Sequence, residues 1–94
     1  MRLFISPYSF NARRAVLAAL ELAAPVDLVT VDLAKGEQKS KDFLAMNPNG
    51  RVPVLDDAGF YLTESHAIMQ YLADKTPGQT LYPAELRARA DVNR

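Results

Sequence analysis

The sequence predicts an α/β domain in which a four-stranded mixed sheet, built in the order βαβ then ββα, is flanked by helices. Three observations carry that expectation. Short apolar or β-branched runs, "RLFI", "VDLVTVDL", "VPVL" and "FYL", are separated early by a stretch with helical spacing and later by a tight turn. A strand-helix-strand crossover is right-handed and leaves its strands parallel, whereas a tight turn leaves them antiparallel. The 94 residues, 49% of them hydrophobic, suffice for one core that buries roughly two-thirds of the unfolded surface, but not for two full domains.

Each element has its own signal. Arg2 to Ile5 reads as the first strand. "NARRAVLAALELAA", from Asn11, reads as a helix with Val16, Ala19, Leu20 and Ala23 on its apolar face, ended by Pro25. Val26 to Leu33 largely alternates apolar with polar residues, the pattern of a half-buried strand. The charged loop "AKGEQK" and a short helical turn over "SKDFLAM" follow. Val52 to Leu55 and Phe60 to Leu62 read as strands around the turn "DDAG". "TESHAIMQYLADK" is helical, with Thr63 as its cap and Ala67, Ile68, Tyr71 and Leu72 as its apolar stripe. After "KTPGQTLYP", "AELRARADVNR" begins another helix, with only Asn93 as a weak stop signal before Arg94. It reads as a helix cut short.

Composition excludes several function classes. The 11 basic and 11 acidic residues cancel and form no block of like charge, which argues against a nucleic-acid groove or an anionic membrane surface. The chain has no cysteine, so disulfides, thiolate metal sites and protein-thiol redox chemistry are not expected. No apolar run approaches the ~18 residues that span a bilayer, and "MRLFISPY" turns polar too soon for a signal peptide, so a cytoplasmic location is the default expectation.

The segment "SPYSFNARR" sits between the first strand and the first helix. A Cys-x-x-Cys there would place redox thiols at a helix N-terminus; here Ser6 and Ser9 put hydroxyls at both positions. Ser9 is also a good N-cap for a helix beginning near Asn11. His66, the single histidine, could be combined with Ser9 and Asp56 or Asp57 as a triad, but no Gly-x-Ser-x-Gly elbow accompanies it, and a lone histidine is a poor metal site.

Taken together, "SPYSFNARR", "KGEQKSKDFLAMNPNGRVPVL" and "LTESHAIMQYLA" resemble the N-terminal, thioredoxin-like domain of cytosolic glutathione transferases, nearest to the serine-dependent phi, theta and delta classes. The resemblance runs from Met1 to about Pro83. It implies a thioredoxin-like glutathione-binding domain over residues 1–75, a linker over 76–83, and the truncated start of an all-helical C-terminal domain over 84–94. The implied partners are glutathione, as co-substrate rather than cofactor, and an electrophilic small molecule. No nucleic acid, membrane or metal is implied, and the full-length protein would be a homodimer serving detoxification.

The resemblance also implies site roles. Ser9 would donate a hydrogen bond to the glutathione sulfur and favour its thiolate; Ser6 and Tyr8 are alternatives. Lowering a thiol from its reference pKa near 8.5 by ~2 units requires about 2.7 kcal/mol. A hydrogen bond to a charged group supplies roughly 1.5 to 3 kcal/mol and a helix N-terminus about 0.3 to 1 kcal/mol. Those contributions can suffice without a protein base.

Val52, before a cis Pro53, would pair by its main chain with the cysteinyl unit; without the resemblance, Pro53 would simply begin an edge strand. Glu64 and Ser65, at a helix start, would take the γ-glutamyl ammonium and carboxylate, although an acid there also compensates the helix dipole. Gln38, Lys39 and Arg51 would face the glycyl carboxylate. The phi pattern tends to have a histidine near the first of these and a glutamine or lysine at the last, and Lys39 is also readable as a solvated charge. Two function classes follow: a glutathione transferase half, of low activity and prone to self-association by itself, or a non-catalytic binding or assembly module on the same fold.

Overall fold

The computed structural model describes residues 1–79, 82–83 and 85–93. Strands β1 (Arg2–Ile5), β2 (Asp27–Thr30), β3 (Val54–Asp57) and β4 (Phe60–Thr63) form one sheet in the order β2-β1-β3-β4. β1 runs parallel to β2 and antiparallel to β3, and β3 runs antiparallel to β4. The four-stranded mixed sheet expected from the element order is therefore present. Helices α1 (Phe10–Glu21), α2 (Lys41–Met46), α3 (Ser65–Lys75) and α4 (Leu86–Asn93) flank it, with a 3-10 turn over Glu37–Lys39.

The side-chain alternation of strands splits the core between the two sheet faces. Leu3 and Leu55 pack with Ala15 and Ala19 of α1, its C-cap Leu22, and Ile68, Leu72 and Ala73 of α3. Their strand neighbours Phe4 and Val54 pack with Phe43 of α2, Ala12, Val31 and Val52. Phe4 and Phe43 meet edge to face, with centroids 6.2 Å apart.

The structure departs from the sequence expectations at several points. Of the expected α1 stripe, Ala19 is buried and Val16 packs partly covered against the core, but Leu20 is 68% exposed and Ala23 is exposed too; Ala12, Ala15 and the C-cap Leu22 are buried in their place. α1 packs closely against α3 through small residues, which leaves its larger leucines outside. It ends before Ala23, which adopts φ 51° and turns the chain toward Pro25. β2 is shorter than expected and lies at the sheet edge, so Leu28 is 48% exposed rather than half-buried in an alternating strand. β3 begins at Val54 because Pro53 has no N–H for the ladder. In α3 the buried residues are Ser65, Ile68, Leu72 and Ala73, while Ala67 and Tyr71 are only partly covered.

The expected linker contributes to the core: Tyr82 is buried, and Gln79 both accepts from its N–H and donates to its C=O. α4 rests on α3 through the Arg89–Asp74 pair at 2.7 Å, and the Asn93 amide donates to the Tyr82 hydroxyl at 2.8 Å. Thr80 and Leu81 of the expected linker, and Ala84 and Arg94 of the expected last helix, lie outside the described residues.

Two aspartates fasten the far end of the sheet. Asp56 accepts from the Arg2 guanidinium and the Gly59 N–H, and both hold its carboxyl below the usual range. Asp57 accepts from Lys75 Nζ at 2.6 Å and from the Tyr71 hydroxyl, which lower it in the same way. A depressed folded-state pKa adds stability above the unfolded carboxyl value, about pH 4, and that stability is lost as pH falls through the folded value. Asp57→Asn is therefore expected to flatten the acid limb of a plot of melting temperature against pH. An unchanged acid limb would mean that the Lys75 and Tyr71 contacts contribute nothing.

Candidate functional site

The sheet register decides which loops meet. Ile5 lies opposite Thr30, Phe4 opposite Val54, and Val54 opposite Thr63. The C-terminal ends of β1, β2 and β4 and the N-terminal end of β3 therefore share one edge of the domain. Ser6 to Ser9, the 31–40 loop, the 47–53 loop and the Glu64-Ser65 junction all emerge there. Asp56 and Asp57 sit at the opposite end, committed to Arg2, Lys75 and Tyr71. His66 is exposed and borders a different, apolar cleft with Ala18, Leu22, Met69 and Tyr82. No Ser-His-Asp line is formed by these residues.

At the shared edge two adjoining clefts make one groove. Ser9, Asn11, Leu33, Gln38, Gly50, Arg51 and Val52 line the first; Asn11, Asn47, Arg51, Val52, Pro53, Glu64 and Ser65 line the second. Of the expected site residues, Ser9, Gln38, Arg51, Val52, Pro53, Glu64 and Ser65 are thus brought together. Lys39 is exposed at the end of the 3-10 turn and lines neither cleft.

Ser9 caps α1: its Oγ accepts from the Ala12 N–H at 3.2 Å. A hydroxyl has one donor besides its two acceptor lone pairs, so capping leaves the Ser9 proton free to be donated into the groove. The other hydroxyl candidates are placed differently. Ser6 is 1% exposed, its Oγ accepting from the Tyr8 N–H and its carbonyl from the Ser9 N–H, so it builds the turn. Tyr8 is 89% exposed and lines neither cleft.

Val52 and Pro53 are joined by a cis peptide bond. Val52 lies just outside the β3 ladder, whose register begins at Val54, and it borders both clefts. Glu64, rather than Thr63, is the N-cap of α3, with φ 73° and no side-chain capping bond. Thr63 instead ends β4, paired with Val54. The Glu64 carboxylate is thus uncommitted to the helix, while the buried Ser65 sits in the first turn, where main-chain N–H groups are unpaired along the helix. Gln38 has a buried Oε1 without a hydrogen-bond partner among the described residues, an acceptor that a donor could still satisfy.

Two lining residues with polar side chains, Asn47 and Asn11, were not singled out by sequence as part of the groove. Asn47 is buried; its Oδ1 accepts from the Asn49 N–H at 3.1 Å, and its Nδ2 donates to the Arg51 carbonyl at 2.8 Å. It shapes the loop that carries Arg51 and Val52, and the Asn-Pro-x-Gly run is a recognisable Asx-turn signal. Asn11 faces the groove from the first turn of α1. The groove thus offers a free hydroxyl donor, a guanidinium, a carboxylate, a helix start and a stretch of main chain. That set is complementary to an extended, zwitterionic peptide-like ligand.

Comparison with known proteins agrees with this geometry. Residues 1–74 match the family model described as Glutathione S-transferase, N-terminal domain. Human glutathione S-transferase theta-2 is 44% identical over 95 residues, covering 99% of this chain and 38% of the human protein. The crystal structure of a diazinon-metabolizing glutathione S-transferase from the silkworm Bombyx mori superposes with a TM-score of 0.93 at 42% identity, covering 98% of this chain and 46% of that one. A glutathione transferase homologue from Sulfitobacter, solved with bound glutathione, superposes with a TM-score of 0.85 at 37% identity, covering 95% of this chain and 43% of that one. The chain thus spans less than half the length of these relatives. It belongs to the glutathione S-transferase family and carries that family's thioredoxin-like N-terminal domain.

Proposed function

We propose that this chain is the glutathione-binding half of a glutathione transferase, and that it holds the glutathione sulfur as a thiolate for attack on an electrophile. The observation that carries this reading is the convergence of Ser9, Gln38, Arg51, Val52, Glu64 and Ser65 on one groove. Glu64 takes the γ-glutamyl ammonium, and Ser65 with the α3 N-terminus takes the α-carboxylate. The Val52 main chain pairs with the cysteinyl unit, and Arg51 with the Gln38 carboxamide receives the glycyl end. The tripeptide so stretched brings its sulfur to Ser9, whose remaining hydroxyl proton is donated to it.

Thiolate formation makes the ligand itself the nucleophile. The thiol proton leaves to solvent, the sulfur lone pair forms the new bond to the electrophilic carbon while the electron pair of that carbon's bond to a leaving group, or of its π bond, moves away onto the rest of the electrophile, and Ser9 stays unmodified throughout. This accounts for reaction chemistry in a chain without cysteine. In the full-length protein the electrophile and a second subunit complete the assembly, in the cytoplasm.

Ser9→Ala tests the reading. It removes both the cap, at about 1 kcal/mol of stability, and the sulfur contact. The bound thiol is expected to ionise at higher pH while glutathione affinity stays within a few-fold. A thiol titration identical to that of the unmodified protein would remove Ser9 from the chemistry. A second reading, a module that binds glutathione without ionising it, draws on the capping bond from Ala12 to Ser9, which gives that serine a structural reason to be present.

A further inference from the structure

We infer that Asn11 is a second hydrogen-bond donor to the sulfur of the bound thiol, acting beside Ser9; the inference rests on the glutathione reading above. Three residues border both clefts: Asn11, Arg51 and Val52. The first cleft contains Ser9 and Gln38, and the second contains Glu64 and Ser65. A tripeptide that fills both must lay its middle residue across their junction, and in glutathione the middle residue is the cysteine. Arg51 is a full positive charge suited to a carboxylate, and Val52 offers main chain alone. Asn11 brings a neutral polar side chain to the junction from the helix that Ser9 caps.

That side chain is uncommitted. Neither its amide nor its carbonyl makes a hydrogen bond among the described residues, unlike Asn47, whose carboxamide is engaged at both ends. The main-chain N–H of Asn11 lies in the first turn of α1, where no carbonyl four residues back belongs to the helix. The Ser9 hydroxyl oxygen already accepts from the Ala12 N–H. Asn11 is therefore the nearest residue along α1 with side-chain donors to spare. A carboxamide N–H favours a thiolate over a thiol because it gives a hydrogen bond to the charged form and has no proton to lose at neutral pH.

The test titrates glutathione bound to the unmodified chain, to Asn11→Ala and to Asn11→Asp, reading the thiolate absorbance against pH. Affinity for S-methylglutathione, which keeps the peptide but has no ionisable thiol, is measured in parallel. Asn11→Ala is expected to lower the thiolate fraction at a fixed pH below the midpoint about ten- to hundredfold, since a hydrogen bond to a charged group is lost. Its affinity for S-methylglutathione should change less than twofold. Asn11→Asp should lower the fraction further by placing a carboxylate where the donor stood, and an acid in the first turn of α1 is compatible with folding.

Unchanged thiolate fractions in both variants would overturn the inference. So would a loss of S-methylglutathione affinity in Asn11→Ala as large as the thiolate effect, because Asn11 would then be holding the peptide. If the unmodified chain binds glutathione without ionising it, or does not bind it, the functional reading fails first and this inference fails with it.

Discussion

Glu64→Gly is expected to leave the domain at least as stable as before and to weaken glutathione binding by tenfold or more. Glu64 holds φ 73° and ψ 123° at the start of α3 and makes no capping bond with its side chain. A non-glycine residue in so sparsely populated a region costs about 1 to 3 kcal/mol, and glycine adopts it without a Cβ penalty. Stability therefore gives no reason for a glutamate at this position, whereas an ammonium to be bound does. Replacing Glu64 and Ser65 together by alanine should cost about 2 to 5 kcal/mol of binding, since each contact to a charged group of the ligand is charge-assisted. Calorimetric titration read beside thermal unfolding separates the two effects. Normal affinity in both variants would reduce the helix start to dipole compensation.

Ile68→Ala carries the largest stability effect expected, a loss of about 2 to 5 kcal/mol. Ile68 is completely buried between the sheet and α1, and its N–H donates to the Glu64 carbonyl at 3.0 Å. A domain of this kind has a total stability of only about 5 to 15 kcal/mol, so the variant should lower the denaturation midpoint severely. Leu20→Ala provides the contrast: the side chain is exposed on the outer face of α1, and the expected change is within about 0.5 kcal/mol. Comparable losses in the two variants would contradict the assignment of the α1 faces.

That contrast also marks what the sequence reveals and what it does not. The order of strands and helices was legible because it rests on local periodicity and on turn residues such as Pro25 and Gly59. Most of the groove's residues were legible only through the family resemblance; they meet because Ser9, Val52-Pro53 and Glu64-Ser65 each stand at an element boundary, and the sheet register gathers those boundaries at one edge. The buried face of α1 was legible only in part: Ala19 lies on it and Leu20 does not. Hydrophobicity favours the side with Leu20, whereas close packing on α3 selects the alanines. The left-handed backbone of Glu64 arises where β4 turns into α3, and residue type does not announce it. Asn47 reads as a loop residue until the chain returns over it, and Asn11 reads as one more polar residue at a helix start.

The central claim, that this groove binds glutathione and ionises its thiol, is tested most directly by titrating glutathione into the chain at neutral pH and recording the ultraviolet difference spectrum. A thiol with a reference pKa near 8.5 is only a few per cent ionised at about pH 7. A saturable thiolate band is expected, with an amplitude that corresponds to a largely ionised ligand and that diminishes in Ser9→Ala. Saturable binding detected by calorimetry without any thiolate band would contradict it and leave the domain as a binding module.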